Sequence, residues 1–121
     1  RTKERAENLA DKFGIKTVDW NEKEEFLCNI NLLVNTTSLG MSGQKPLELS
    51  LDDLPENALV TDIVYKPLMT DLLQNAAANG HPVVTGIGML LHQARPAFKA
   101  WFGVMPEIEP QFEQEILKAA A

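Results

Sequence analysis

Apolar residues recur along this chain with two periods, and the alternation between them predicts the elements. Ala6, Leu9, Ala10 and Phe13 share one helical face, with Thr2 placed as N-cap and Gly14 as the stop. Residues 15–18 form a short β-leaning run, and the charged stretch 21–26 is suited to one or two helical turns. Residues 31–37 read as a buried strand running into a polar turn, and the loop continues through Ser38, Leu39, Gly40, Met41, Ser42 and Gly43. A second buried strand, rich in β-branched residues, covers 59–65 and ends at Lys66-Pro67. Leu68, Leu72, Leu73, Ala76 and Ala77 define a helix over 68–79 with Gly80 as its stop, and 82–85 is another short strand. The clearest helix spans 86–101, where Ile87, Leu90, Leu91, Ala94, Phe98 and Trp101 form the stripe expected to face the core. Pro96 lies inside it and should kink it. A last amphipathic helix covers 111–120. Strands alternating with helices through short turns predict an α/β layer with a mostly parallel sheet.

Length and composition narrow the class. At 121 residues the chain is one domain's worth, and 45% apolar with 23% charged residues is ordinary globular composition, which disfavours disorder, collagen and coiled coil. A net charge of −6 repels phosphate backbones and makes nucleic acid a poor partner. No apolar run reaches the roughly 18 residues of a membrane span, so a cytoplasmic protein is expected. Cys28 is the only cysteine, which excludes an intrachain disulfide and reads as a buried structural thiol. The chain opens on Arg1 rather than methionine, with a helix signal at once, and a processed or excised piece of a longer protein is the expectation drawn from that.

Ligands of open α/β sheets bind beyond the carboxyl ends of the strands. The residues there are 35–38, 62–65 and 85–89: hydroxyl, amide and glycine positions suited to a polar organic ligand with a ring. Turns need such residues for their own sake, but three of them together point to a ligand edge. Met89 and Gln93 lie four apart, on a helix face offset from the core stripe, so Gln93 could look into a cleft or simply face solvent. Arg1, Lys3 and Arg5 place three cations within one turn of a helix start, where an incoming phosphate would relieve their unfavourable interaction with the helix dipole. Glu4 and Glu7 beside them allow a solvated charged face instead. Other chemistries lack their pattern. The spacing of Gly40, Gly43, Gly86 and Gly88 is wrong for a dinucleotide fingerprint, and His81 and His92 stand beside neither cysteine nor paired carboxylates, so no metal site is expected. Glu22, Glu24 and Glu25 read as a solvated face.

Four segments in order carry a resemblance. They are residues 1–6 (RTKERA), residues 35–41 (NTTSLGM), residues 62–65 (DIVY) with Pro67 and Thr70, and residues 86–94 (GIGMLLHQA) followed by Phe98, Trp101 and Gly103. Together they resemble the C-terminal half of the shikimate dehydrogenases, through nearly the whole chain. The resemblance implies an NADP-dependent oxidoreductase of aromatic amino-acid biosynthesis that reduces 3-dehydroshikimate to shikimate by hydride transfer. By the family pattern Arg1, Thr2 and Arg5 grip the adenosine 2′-phosphate. Thr36 and Thr37 lie along the cofactor, and Ile63, Gly86 and Met89 surround its nicotinamide end. Tyr65 and Gln93 hydrogen-bond the substrate, holding its carbonyl carbon near the hydride donor. The alternatives are an NAD-preferring quinate or shikimate dehydrogenase relative and a non-catalytic nucleotide-binding module.

The same resemblance implies a partial Rossmann-like, doubly wound parallel sheet with C-terminal helices, lacking its first strands. Residues 1–103 would complete the cofactor domain and 104–121 would pack back on the substrate domain. The glycine-rich turn, the serine pair for the substrate carboxylate and the acid/base lysine and aspartate belong to the family's N-terminal half, so this stretch alone is expected to be inactive. That half is the expected partner, and a homodimer is a further possibility. In a 3-2-1-4-5-6 sheet, residues 15–18 would be strand 3 with no neighbour, and its unmet backbone groups would leave the isolated chain aggregation-prone, rearranged, or dependent on a partner.

Overall fold

A computed structural model describes residues 2–120 of the chain. In chain order the elements are helix α1 (Lys3–Phe13), a 3-10 helical segment (Trp20–Asn29), strands β1 (Leu32–Asn35) and β2 (Leu59–Asp62), helix α2 (Asp71–Ala78), strand β3 (Val83–Val84), and helices α3 (Ile87–Phe102) and α4 (Pro110–Ala120). The three strands form one parallel sheet in the order β1-β2-β3. This is the order expected of the last three strands of a Rossmann-like sheet.

Register sets where the site lies. Leu32 pairs with Leu59 and Asn35 with Asp62, so β1 and β2 end level with one another, and both chains leave the sheet at the same edge. β2 reaches β3 through α2, the usual helical crossover. The link from β1 to β2 is long and irregular. Residues 36–58 contain no helix, and they fold down so that Leu51, Leu54 and Ala58 join the core. That core is one-sided, formed by Leu27, Val60, Leu72, Leu73 and Ala76 with the 36–58 segment, and α2 packs against β2 and β3.

Several expectations are corrected by this one-sidedness. Residues 15–18 form no strand, with Ile15 and Val18 both exposed, because no ladder partner for them exists among the described residues. α1 forms where its periodicity predicts and closes on Gly14 at φ 63°, but buries none of its residues, and the Thr2 side chain makes no capping hydrogen bond. β1 is not buried through its length: Leu32 and Val34 are exposed and only Asn35 is fully enclosed. The α3 stripe buries at Ile87 and Leu91, while Phe98 and Trp101 lie in the open, Trp101 at 78%. The helix runs on through Pro96 to Phe102.

Smaller corrections are local. The 21–26 stretch becomes the longer 3-10 segment, capped by the Asp19 side chain accepting from the Asn21 N–H. Only its Leu27 side is buried, which leaves the neighbouring Cys28 exposed rather than buried. Glu24 is not merely solvated, since its Oε1 accepts from the Ser50 N–H at 2.8 Å. Helix α2 starts at Asp71, three residues later than its periodicity suggests, because the Thr70 hydroxyl caps it. Asn79 is its C-cap, with Gly80 beyond it at φ 86°. Arg95 fastens the turn after α3, its Nε donating to the Pro106 carbonyl at 2.8 Å. No helix among the described residues is long and apolar enough to cross a membrane.

The asymmetry predicts an uneven response to truncation. Leu73→Ala, at a side chain with no exposure, should lower unfolding free energy in urea by about 2–5 kcal/mol. Trp101→Ala, at the most exposed aromatic residue, should lower it by less than about 1 kcal/mol.

Candidate functional site

The level ends of β1 and β2 are held by a buried polar cluster. Asp62, 1% exposed, accepts from the Val64 N–H at 2.9 Å and the Thr70 hydroxyl at 2.8 Å, and the Asn35 side-chain amide donates to both of its oxygens at 3.1 Å. Asn35 Nδ2 also donates to the Leu39 carbonyl at 3.1 Å, and its Oδ1 accepts from the Thr37 N–H and hydroxyl. The Thr37 hydroxyl in turn accepts from the Leu39 N–H. One carboxylate therefore fixes two loops and the start of α2 at once. A short polar side chain that folds back on the backbone two residues on is what turns require, and here Asn35, Thr37 and Asp62 all do so.

These loops enclose a cleft of about 540 Å³ lined by Thr36, Thr37, Ser38, Met41, Ser42, Ile63, Val64, Tyr65 and Lys66. Its lining mixes the hydroxyls of Thr36, Ser38 and Ser42 with the apolar side chains of Met41, Ile63 and Val64, a combination suited to a polar ring. The loops are stitched across the cleft by the Ser42 N–H donating to the Lys66 carbonyl at 2.9 Å. Thr36, Thr37, Ile63 and Tyr65 are thus brought together as the sequence suggests.

Gly86 adjoins the same loop. A Cβ there would lie 2.5 Å from the Ile63 carbonyl oxygen and 2.7 Å from that of Val64. Its φ of −71° suits any residue, so space rather than conformation requires glycine. The start of α3 is therefore pressed against the backbone of the cleft wall. Met89 and Gln93 stand farther along α3, both exposed and neither lining the cleft, so Gln93 does not look into it in this structure. Thr2 and Arg5 are exposed on α1, away from the cleft lining, and Arg1 lies outside the described residues. No group of three or more His, Cys, Asp or Glu that could hold a metal exists among the described residues.

Asp62 and Asn35, polar residues at the strand ends where a ligand edge is expected, are both turned inward. Ser38 and Val64 line the cleft from the strand-end turns where a ligand edge is expected, whereas Met41, Ser42 and Lys66, which no ligand-edge signal marks, line it as well. A usable signal was Thr70, three residues before Leu73 and followed by an acidic first turn, which marks a helix start and so a turn between 63 and 70.

Two substitutions test this construction. Asp62→Ala would leave the buried Val64 N–H and Thr70 hydroxyl without an acceptor and strip the Asn35 amide of one of its two partners, and should cost about 3 kcal/mol or more in denaturant unfolding. Gly86→Ala must move α3 away from the Ile63 carbonyl, and should cost about 1–3 kcal/mol in the same measurement.

Comparison with known proteins places this geometry. A family model described as the Shikimate 5'-dehydrogenase C-terminal domain matches residues 86–110. The NADP(+) shikimate dehydrogenase of Dinoroseobacter shibae is 55% identical over 100% of this chain and 42% of its own length. That of Paramagnetospirillum magneticum is 52% identical over 97% of this chain and 43% of its own. Among solved structures, the Thermus thermophilus shikimate 5-dehydrogenase in complex with NADP(H) and shikimate superposes with a TM-score of 0.76 at 36% identity, covering 100% of this chain and 44% of that one. The Corynebacterium glutamicum quinate dehydrogenase in complex with NAD gives 0.81 at 29% identity, covering 95% and 43%. The chain thus spans less than half the length of the relatives it matches, and it is their C-terminal part that it matches. By sequence along its whole length and by the parallel sheet it forms, this chain belongs to the shikimate dehydrogenase family.

Proposed function

We propose that this chain is the cofactor-side part of an NADP-dependent shikimate dehydrogenase, which interconverts 3-dehydroshikimate and shikimate. The observation that carries the reading is the convergence of the 36–42 and 63–66 loops on one cleft, with Gly86 pressed against its wall. Aliphatic side chains together with hydroxyls in the lining fit a flat ring with polar substituents, as a nicotinamide requires.

On this reading Thr36 and Thr37 lie along the cofactor, and Ile63, Gly86 and Met89 surround its nicotinamide end. Thr37 contributes through its methyl group, because its N–H is committed to Asn35 and its hydroxyl to Asn35 and Leu39. When bound, the nicotinamide supplies or accepts a hydride. The chain's own residues orient: Ile63 and Val64 exclude water from one side of the ring, and the Tyr65 hydroxyl and Gln93 amide hold substrate hydroxyls. Holding the reacting carbon within reach of the hydride is worth several orders of magnitude in rate. The acid/base lysine and aspartate are assigned to the N-terminal part of the enzyme. Thr2 and Arg5, with Arg1, take the 2′-phosphate, where a guanidinium binds through paired hydrogen bonds.

The exposed ridge of Phe98, Trp101, Phe102, Val104 and Met105 supports an arrangement in which the segment 104–121 packs back on the substrate domain. An apolar surface of that extent calls for a covering partner. The lone, unpaired cysteine and the soluble biosynthetic chemistry favour the cytoplasm.

The quinate dehydrogenase match in complex with NAD keeps one second reading in play, an NAD-preferring relative. The decisive experiment is to read the coding DNA upstream of Arg1, express the whole reading frame and assay shikimate oxidation with NADP+ and NAD+. Turnover with NADP+ preferred is the expected result, and translation starting beside Arg1 would overturn it in favour of a binding module. Arg5→Ala in that enzyme should raise KM for NADP+ roughly tenfold and leave KM for NAD+ within twofold, as loss of one charge-assisted phosphate contact predicts.

A further inference from the structure

Thr70 stands outside the cleft and is fully buried, yet it faces the root of each loop that forms it. Its hydroxyl donates to Asp62 Oδ2 at 2.8 Å, and Asp62 immediately precedes the lining residues Ile63 and Val64. The open side of Gly40 faces the same residue: a Cβ placed there would stand 3.6 Å from Thr70 Cβ and 3.8 Å from its methyl carbon. Gly40 immediately precedes the lining residues Met41 and Ser42, and its N–H is pinned to the Lys45 carbonyl at 2.7 Å. One side chain therefore meets both loops at the residue before each enters the cleft, with an oxygen towards one and a methyl group towards the other.

Helix capping alone does not call for this residue. The hydroxyl accepts from the Leu73 N–H at 3.4 Å, a long bond beside the one to Asp62, and serine, asparagine or aspartate would cap α2 as well. What threonine adds is a methyl group held by a branched, stiff Cβ, and that methyl stands against Gly40. Gly40 turns the chain at φ 87°, so a shift at this contact is carried directly into Met41 and Ser42. A shift of Asp62 is carried in the same way into the 63–66 turn, through its bond to the Val64 N–H.

We propose that Thr70 is a positioning residue for both ligands, acting from outside the cleft: its methyl backs the 36–42 loop that lies along the cofactor, and its hydroxyl, through Asp62, aims the 63–66 turn that carries Tyr65. The proposal rests on the dehydrogenase reading, and its test separates the two. Thr70→Ser removes the methyl and keeps the hydroxyl, whereas Thr70→Val does the reverse. In the full-length enzyme both are compared with wild type and with Ala76→Gly, a destabilising change farther along α2, at a temperature where unfolding curves show each protein to be folded. Steady-state kinetics with shikimate and NADP+ give KM and kcat, and calorimetric titration with NADP+ supplies a readout that does not depend on turnover.

Thr70→Ser should raise KM and Kd for NADP+ roughly fivefold and leave KM for shikimate within about twofold. Thr70→Val should instead raise KM for shikimate and lower kcat, a loss of roughly tenfold in kcat/KM, with a smaller change in Kd for NADP+. Ala76→Gly should lower the unfolding midpoint and move none of these constants. Constants unchanged in both Thr70 variants overturn the proposal and leave Thr70 as a helix cap. A rise of equal size for both ligands in both variants also overturns it, as does an Ala76→Gly enzyme with the same shifts, because each reports a general loosening. Should Thr70→Val fail to fold, Thr70→Ser decides alone, an NADP+-only rise upholding the proposal and an unchanged NADP+ constant overturning it. A wild type that neither oxidises shikimate nor binds NADP+ overturns the dehydrogenase reading itself.

Discussion

The buried carboxylate of Asp62 is the constraint from which the site follows. A carboxylate taken out of water must have its lone pairs met, and here Val64, Thr70 and Asn35 meet them from three separate stretches of chain. Each donor is useful elsewhere too: Thr70 starts α2, Val64 lies in the cleft wall, and Asn35 organises the turn through Thr37 and Leu39. The loops after two parallel strands would otherwise be free to spread. A binding surface on loops is only as accurate as the interactions that hold them, and the cost of breaking any of these bonds is the cost of an orphaned buried group.

The second organising fact is that hydrophobic burial is concentrated on one side. The core gathers around Val60, Leu73 and Ala76, while α1, the 15–18 segment, the β1 side chains and the far half of α3 leave apolar surface in the open. Scattered exposed apolar residues are ordinary, but here they cluster by element, with the Phe98 and Phe102 rings in tilted contact at 4.5 Å between centroids. The open edge of β1 adds unpaired backbone groups to the same account. Elements whose local signals are strong enough to form without burial keep their shape, as α1 does between its first residues and Gly14. A strand has no such autonomy, because its hydrogen bonds belong to its neighbours, and residues 15–18 accordingly remain irregular.

That contrast also explains how much was legible in advance. Helix periodicity and glycine stops are local, so α1, α3 and α4 emerge from spacing alone to within a residue or two at their ends, and the three parallel strands follow from short apolar runs. What spacing could not convey was which faces would be covered. Leu32 and Val34 have the composition of a buried strand, and Trp101 sits on a proper helical stripe, but burial depends on what lies opposite. That Thr36, Thr37, Ile63 and Tyr65 line one cleft was legible because the ends of neighbouring parallel strands bring their turns together. The inward orientation of Asp62 was not, because the same aspartate could face a ligand or cap a turn, and only the register of β1 against β2 brings Asn35 opposite it.

The division of labour that results has a physical logic. A carboxylate inside the scaffold cannot serve as a proton donor or acceptor for a ligand without unlocking the loops that bind it, so the residue with the most reactive group at this edge is excluded from chemistry by its structural work. The cleft is left with hydroxyls, aliphatic side chains, one phenol and one ammonium. Such a surface can orient a ring and attract an anion, but its lining offers no carboxylate or imidazole for proton transfer. Orientation is thereby separated from acid/base chemistry, which places the selectivity of this cleft in charge and shape.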